Sequence, residues 1–173
     1  MKKSILTING GSSSIKFAFY DAVEPLKRGL YGALDRIGLN GTNLTFHDAD
    51  GNPQAAHQIA AADYQSAANS LVDWFEGQGD LMSVTAVGHR LVHGMKHTEP
   101  ELVTPELLDE LHRISPCDPD HLPGEIKLID DAPVHFPNPL LILKLARQLF
   151  CKSGIRFSIW PTSASARCSP SIS

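Results

Sequence analysis

Residues 9–16 have the sequence Asn-Gly-Gly-Ser-Ser-Ser-Ile-Lys, and they connect two segments that have the composition of β-strands. The apolar run 5–8 precedes this stretch, and residues 15–20 have the sequence Ile-Lys-Phe-Ala-Phe-Tyr. Two strands joined by a short glycine-rich loop indicate a β-hairpin rather than a strand–turn–helix unit. The sequence therefore predicts a hairpin whose turn is built from glycine and serine.

The same turn has the composition of an anion-binding loop. Glycine lets backbone N–H groups approach an anion closely, and the hydroxyls of Ser12 and Ser14 add hydrogen-bond donors. Lys16 would bind a phosphate oxygen as a point charge, and the amide oxygen of Asn9 would ligate Mg²⁺ directly or through water. The spacing matches neither the Walker A pattern nor G-x-G-x-x-G. A purely structural turn stays open as the alternative, because glycine and serine dominate turns.

The rest of the chain shows strands first and then helices mixed with a late strand. Further strands are expected at 30–33, 44–47 and 84–92. Helices are expected after the N-cap residue Asp63, from Thr104-Pro105 up to Pro116, and over 124–131. This order of elements predicts an α/β domain.

Composition narrows the function classes. The chain has 173 residues, 42% of them hydrophobic, and a formal net charge of −4, which predicts neither nucleic acid nor a membrane surface as partner. The three cysteines show no disulfide framework, and no apolar stretch reaches the roughly 20 residues that span a bilayer. The expected location is the cytoplasm.

A second motif surrounds Arg90, in residues 86–94 with the sequence Ala-Val-Gly-His-Arg-Leu-Val-His-Gly. A guanidinium binds a carboxylate or a phosphate bidentately and stays charged at neutral pH. We expect Arg90 to face the glycine–serine turn across a gap. His89, His93 and His97 have a helical spacing, but in a strand His89 and His93 would stand about 13 Å apart, too far to share a metal ion. Structural or substrate-orienting roles are expected for them.

Together the two motifs resemble those of acetate kinases, in the acetokinase family of the sugar kinase, heat-shock ATPase and actin superfamily. The family patterns are N-x-G-S-S-S-x-K and V-G-H-R-[VL]-V-H-G. The resemblance covers about residues 3–137. It implies the N-terminal domain, in incomplete form, of a ribonuclease-H-like, actin-like ATPase fold, which has a mixed sheet with helices. It assigns ATP or phosphate binding to Ser12, Ser14 and Lys16, the metal to Asn9, and substrate binding to Arg90 and Val92.

The implied activity is transfer of a phosphoryl group from ATP to acetate, which gives ADP and acetyl phosphate. ATP is then a substrate, Mg²⁺ is the cofactor, and full-length relatives are homodimers. Two alternatives remain. One is a propionate or butyrate kinase, and the other is a non-catalytic phosphate-binding module.

Three departures from the family pattern limit these expectations. Asp118 stands where the family has a histidine, and His121 is wrongly spaced to replace it. Residues 138–173 do not match the family, and the serine-rich residues 153–173 are expected to be disordered. No Asp or Glu follows Asp131, so no catalytic carboxylate is identified. Family members are more than twice as long. We therefore expect the chain alone to be inactive, and a frameshift near codon 138 is our hypothesis.

Overall fold

The structure is a computed structural model, and it describes residues 3–39, 41–78, 84–91, 99–117, 119, 122–135 and 140–145. The strands in chain order are β1 Ser4–Gly10, β2 Ser14–Asp21, β3 Lys27–Asp35, β4 Asn43–His47, β5 His57–Gln58, β6 Val84–Leu91, β7 Glu101–Leu102 and β8 Leu140–Leu145. The helices are α1 Tyr64–Gly77, α2 Pro105–Ile114 and α3 Leu122–His135. The described strands form one sheet in the order β5-β4-β3-β2-β1-β6-β8-β7.

Strand β1 lies where the antiparallel and parallel parts of this sheet meet. It pairs antiparallel with β2, with Ile8 opposite Phe17, so the predicted hairpin is confirmed. On its other side β1 pairs parallel with β6, with Ile8 beside His89. β3 and β4 continue the antiparallel part, and β8 lies parallel to β6. The sheet is mixed, as the resemblance implied.

The two faces of the sheet carry different side chains. Leu6 and Ile8 of β1 and Phe17 of β2 are buried against helices, on a side that we call the helix face. Successive side chains of a strand point to opposite faces. Asn9 and Lys16, each next to one of these buried residues, therefore lie on the other side, which we call the polar face.

Helix α1 covers the hairpin on the helix face. It begins after Asp63, whose side chain accepts a hydrogen bond from the Ser66 backbone N–H at 2.8 Å, so the predicted N-cap is confirmed. Its buried stripe reaches Phe75, whose ring lies 4.8 Å from that of Phe17 in an edge-to-face arrangement. Such aromatic pairs add stability beyond the apolar area that they bury.

Helices α2 and α3 cover the β6 side of the same face. Thr104 caps α2 by accepting a hydrogen bond from the Leu107 N–H at 3.2 Å, as predicted. The prediction for α3 was too short, because the helix runs over Leu122–His135 rather than 124–131. Pro123 lies in the first helical turn, where a missing N–H costs little, and Leu122 is fully buried.

Several predictions concern residues outside the described ranges. They are the expected substrate-binding residue Val92, the histidines His93 and His97, the departures at Asp118 and His121, and the tail from residue 146. The domain boundary after residue 137 stays a prediction, although β8 lies beyond it and joins the sheet. No helix within the described part of the chain is long and apolar enough to cross a membrane.

Candidate functional site

Three polar residues form a row across the centre of the sheet, and they come from the two motifs. Lys16 of β2 is opposite Asn9 of β1, and Arg90 of β6 is on the other side of Asn9. Since neighbouring strands lie about 4.8 Å apart, the Cα atoms of Lys16 and Arg90 are about 10 Å apart. Both cationic residues therefore flank one amide on the polar face, next to the hairpin turn.

A hydrogen bond joins the two motifs directly. Arg90 Nη1 donates to Asn9 Oδ1 at 2.9 Å, between residues that are 81 positions apart in the chain. Parallel pairing of β1 with β6 places Arg90 beside Asn9, at the end of the strand that leads into the turn. The expected gap between Arg90 and turn residues 11–14 stays a prediction. A guanidinium has five N–H donors, so this bond uses one of them and orients the others.

The turn itself is closed by backbone hydrogen bonds. The Gly11 N–H donates to the Ser14 carbonyl at 2.7 Å, and the Ile37 N–H donates to the Ser13 carbonyl at 3.0 Å. Ser12 is exposed, whereas Ser14 is half-buried with its hydroxyl folded over Gly11. A Cβ added at Gly11 would lie 3.3 Å from Ser14 Oγ, so glycine gives this hydroxyl room. The turn thus presents serine hydroxyls on a fixed backbone.

The described residues do not by themselves fit a protein-held Mg²⁺ ion. Among them, no three His, Cys, Asp or Glu side chains come together as a metal site. The Asn9 oxygen is neutral and already accepts a hydrogen bond from Arg90, whose positive charge disfavours a cation there. Mg²⁺ in phosphotransferases is held largely by substrate phosphates and water, so it would enter with the nucleotide.

His89 lies on the helix face, on the other side of the sheet from Arg90. Its side chain is only 4% exposed, and burial lowers its pKa to about 4. The imidazole is therefore neutral at pH 7, because a desolvated imidazolium is costly. Of the two roles expected for this histidine, the structural one fits its position.

Two further residues lie directly behind the turn, and sequence reasoning did not identify them as part of the site. A Cβ built on Gly10, the last residue of β1, would lie 2.4 Å from Tyr64 Oη and 3.1 Å from Glu125 Cγ. Glu125 is 1% exposed although its side chain is ionisable. The helical spacing from Leu122 through Glu125 to Ile129 places this carboxylate on the apolar stripe of α3, and that was the available signal.

Comparison with known proteins shows which family the chain resembles. Residues 4–143 match the acetokinase family, so the likeness extends beyond residue 137, where the motifs had placed its limit. An acetate kinase from Chromobacterium violaceum is 34% identical over 139 residues, which are 80% of this chain and 34% of that protein. A propionate kinase from Escherichia coli O157:H7 is 32% identical over 134 residues, 77% of this chain and 32% of that protein. The chain spans about a third of the length of these curated relatives.

Solved structures show the same fold. A propionate kinase from Francisella tularensis superposes with a TM-score of 0.69 at 23% identity, over 83% of this chain and 36% of that one. This likeness confirms the predicted ribonuclease-H-like, actin-like ATPase fold, with its mixed sheet and helices. Because the family match extends over most of the sequence, the chain belongs to the acetokinase family.

Proposed function

We propose that this chain supplies the phosphate-binding side of a kinase that transfers the γ-phosphoryl group of ATP to acetate. Lys16 and the hydroxyls of Ser12 and Ser14 bind phosphate oxygens, and Arg90 binds the carboxylate or the acyl phosphate. The observation that carries this proposal is the row of Lys16, Asn9 and Arg90 beside the turn. It places the Cα atoms of two cationic residues about 10 Å apart on one face, a spacing that lets their side chains bind a phosphate and a short carboxylate together.

The chemistry agrees with this arrangement. Phosphoryl transfer depends mostly on positioning and on neutralising charge, with little covalent chemistry for the protein to do. Asn9 keeps the Arg90 guanidinium oriented before substrate binds. This lowers the entropic cost of ordering the Arg90 side chain on binding. Mg²⁺ would neutralise charge on the nucleotide phosphates. The residues of this chain would align the two reacting groups.

We further propose that the chain alone does not turn over, and that it functions in the cytoplasm. Transfer requires charged groups on both sides of the phosphoryl group, and this chain corresponds to 34% of its acetate kinase relative. The sequence offers no carboxylate after Asp131 for the catalytic role that the family assigns to an aspartate. We propose Val92 as the wall of the acyl pocket.

Propionate is the second candidate acceptor. One curated relative is a propionate kinase, at 32% identity against 34% for the acetate kinase. One methylene changes binding by only about 1–3 kcal/mol, so a small difference in the pocket decides between the two acids. Competition of acetate and propionate with acetyl phosphate would rank them.

The proposal is tested by titration calorimetry of the 173-residue chain with Mg-ATP and with acetyl phosphate. A hydrogen bond to a charged group contributes about 1.5–3 kcal/mol, so Arg90→Ala should weaken acetyl phosphate binding about tenfold or more. Lys16→Ala should weaken Mg-ATP binding to a similar degree. The same samples should give no acetyl hydroxamate in a turnover assay.

The chain offers matched controls for both variants. Arg113→Ala removes an exposed arginine in the last turn of α2, and Lys27→Ala removes an exposed lysine at the start of β3. Both should bind the two ligands like the wild type. Absence of binding by the wild type, or equal losses in the controls, would overturn the proposal.

A further inference from the structure

The backbone at Gly10 is enclosed on the helix face by side chains from two helices. Tyr64 is the first residue of α1, and Glu125 lies in the first turn of α3. An added Cβ at Gly10 would lie 2.4 Å from Tyr64 Oη, a distance that a real side chain could not keep without displacing the hydroxyl. The same Cβ would lie 3.1 Å from Glu125 Cγ, which is also a tight contact. Glycine is required here by close approach rather than by backbone conformation.

The ring of Tyr64 is also tightly packed on its other side, against Gly124. A Cβ added there would lie 2.7 Å from Tyr64 Cδ1, so the tyrosine ring is held between Gly124 of α3 and Gly10 of β1. Two glycines thus make the slot for one ring. The ring ends directly behind the residue where the anion-binding turn begins.

The buried position of the Tyr64 hydroxyl reduces the stability of the fold. Its oxygen is buried and has no hydrogen-bond partner among the described residues. Burial and, second, the charge of Glu125 raise the pKa of Tyr64 well above its usual value, so the hydroxyl stays protonated and remains a donor. A buried unpaired hydroxyl is destabilising, and phenylalanine would fill the same slot without this cost.

We propose that Tyr64 and Glu125 are positioning residues for the anion-binding turn. Their side chains form the wall against which Gly10 rests, and this wall fixes the direction of the backbone N–H groups and hydroxyls of residues 11–14. The Tyr64 hydroxyl donates to the Glu125 carboxylate when the turn holds an anion. This inference rests on the proposed phosphate-binding function and assigns it two residues outside both sequence motifs.

The first test separates positioning from packing at residue 64. Tyr64→Phe keeps the ring and removes the hydroxyl, so the thermal midpoint without ligand should stay the same or rise. Binding of inorganic phosphate and of Mg-ATP to the 173-residue chain should nevertheless weaken by about three- to tenfold, the equivalent of one hydrogen bond. Tyr31→Phe is the matched control, since Tyr31 stacks on His47 and pairs with Ala18, away from the turn.

The second test compares a conservative substitution with a truncation at residue 125. Glu125→Gln keeps the shape and an acceptor oxygen, so affinity for phosphate should stay within about twofold of the wild type or improve, since a like charge is removed. Glu125→Ala removes the wall and should weaken binding about tenfold. Equal losses in both variants would show that the charge of Glu125, and not its position, matters, and would overturn the proposal.

The third test is a second-site suppressor at Gly10. Gly10→Ala should lower both the thermal midpoint and the affinity for phosphate. Adding Tyr64→Phe removes the nearest atom and leaves Glu125 Cγ at 3.1 Å, so the thermal midpoint should recover in part while the affinity does not. Recovery of both would mean that the hydroxyl only fills space, and the inference would fail.

The outcomes also separate this inference from the proposed function. A wild-type chain that binds neither phosphate nor Mg-ATP overturns both. A wild-type chain that binds, with Tyr64→Phe binding equally well, overturns the positioning role alone. Weaker binding together with a lower thermal midpoint in Tyr64→Phe would assign the tyrosine to packing and would also overturn it.

Discussion

Adjacent residues of strand β2 lie on opposite faces of the sheet, and the two faces carry different kinds of side chain. Phe17 on the helix face is 1% exposed and contacts the rings of Phe19 and Phe75. Lys16, its neighbour on the polar face, is half-buried and pairs with Asn9. Alternation with period two lets one strand hold the fold with one set of side chains and present the site with the other.

Strand β6 shows the same contrast between the two faces, here between a neutral and a charged side chain. His89 is buried on the helix face and is neutral because burial lowers its pKa to about 4. Arg90, the next residue, is exposed on the polar face and bonds to Asn9. A group that has to stay charged is placed where water and a polar partner can reach it, and the helix face holds the neutral form.

The largest expected effect tests the helix face through Phe17. Phe17→Ala should reduce the free energy of unfolding by about 3–5 kcal/mol, because the lost ring leaves a cavity among packed aromatic side chains. Guanidinium unfolding of the 173-residue chain measures the change. Lys16→Ala, one position away on the polar face, is the control and should change stability by about 0.5 kcal/mol or less. Equal losses from the two variants would refute the division of roles between the faces.

The hairpin that defines both faces was predictable from the sequence. Residues 15–20 alternate around Lys16, and the glycines of the turn mark the reversal, so local pattern alone decides this part of the fold. The caps at Asp63 and Thr104 are equally local signals, because a capping side chain bonds to an N–H only three residues away.

The geometry of the candidate site was less predictable, because it depends on contacts between distant segments. The motifs supplied Asn9 and Arg90, but their hydrogen bond follows from parallel pairing of β1 with β6, which local pattern does not fix. Tyr64 and Glu125 belong to no motif. Their position behind Gly10 depends on how two helices pack on the sheet, and this is a tertiary effect.

An intermediate effect is expected from His89 when the pH is lowered. Its pKa is about 4 in the folded chain, against about 6.5 in an unfolded one, so the unfolded state binds more protons between these values. Stability from this residue is complete above about pH 6.5 and is lost as the pH falls towards 4, by about 3 kcal/mol. Urea unfolding across this range measures the loss.

A neutral replacement isolates this histidine from the carboxylates that titrate in the same range. His89→Gln cannot take up the proton, so its stability should fall less steeply with decreasing pH than that of the wild type. Identical slopes for the wild type and His89→Gln would contradict the assignment of a buried neutral imidazole.

The smallest expected effect concerns the polar face, where the bond between Arg90 and Asn9 is open to solvent. A double-mutant cycle with Asn9→Ala and Arg90→Ala should give a coupling energy of about 0.5–1 kcal/mol in the free energy of unfolding. The same cycle with Asn9→Ala and Arg113→Ala should show no coupling beyond about 0.3–0.5 kcal/mol, since Arg113 lies on α2.

A small coupling energy in stability, combined with a large loss of acetyl phosphate affinity in Arg90→Ala, would show that the polar face orients its cation for a ligand. A coupling of several kcal/mol would instead make this bond part of the structural core, and the contrast between the faces would no longer hold.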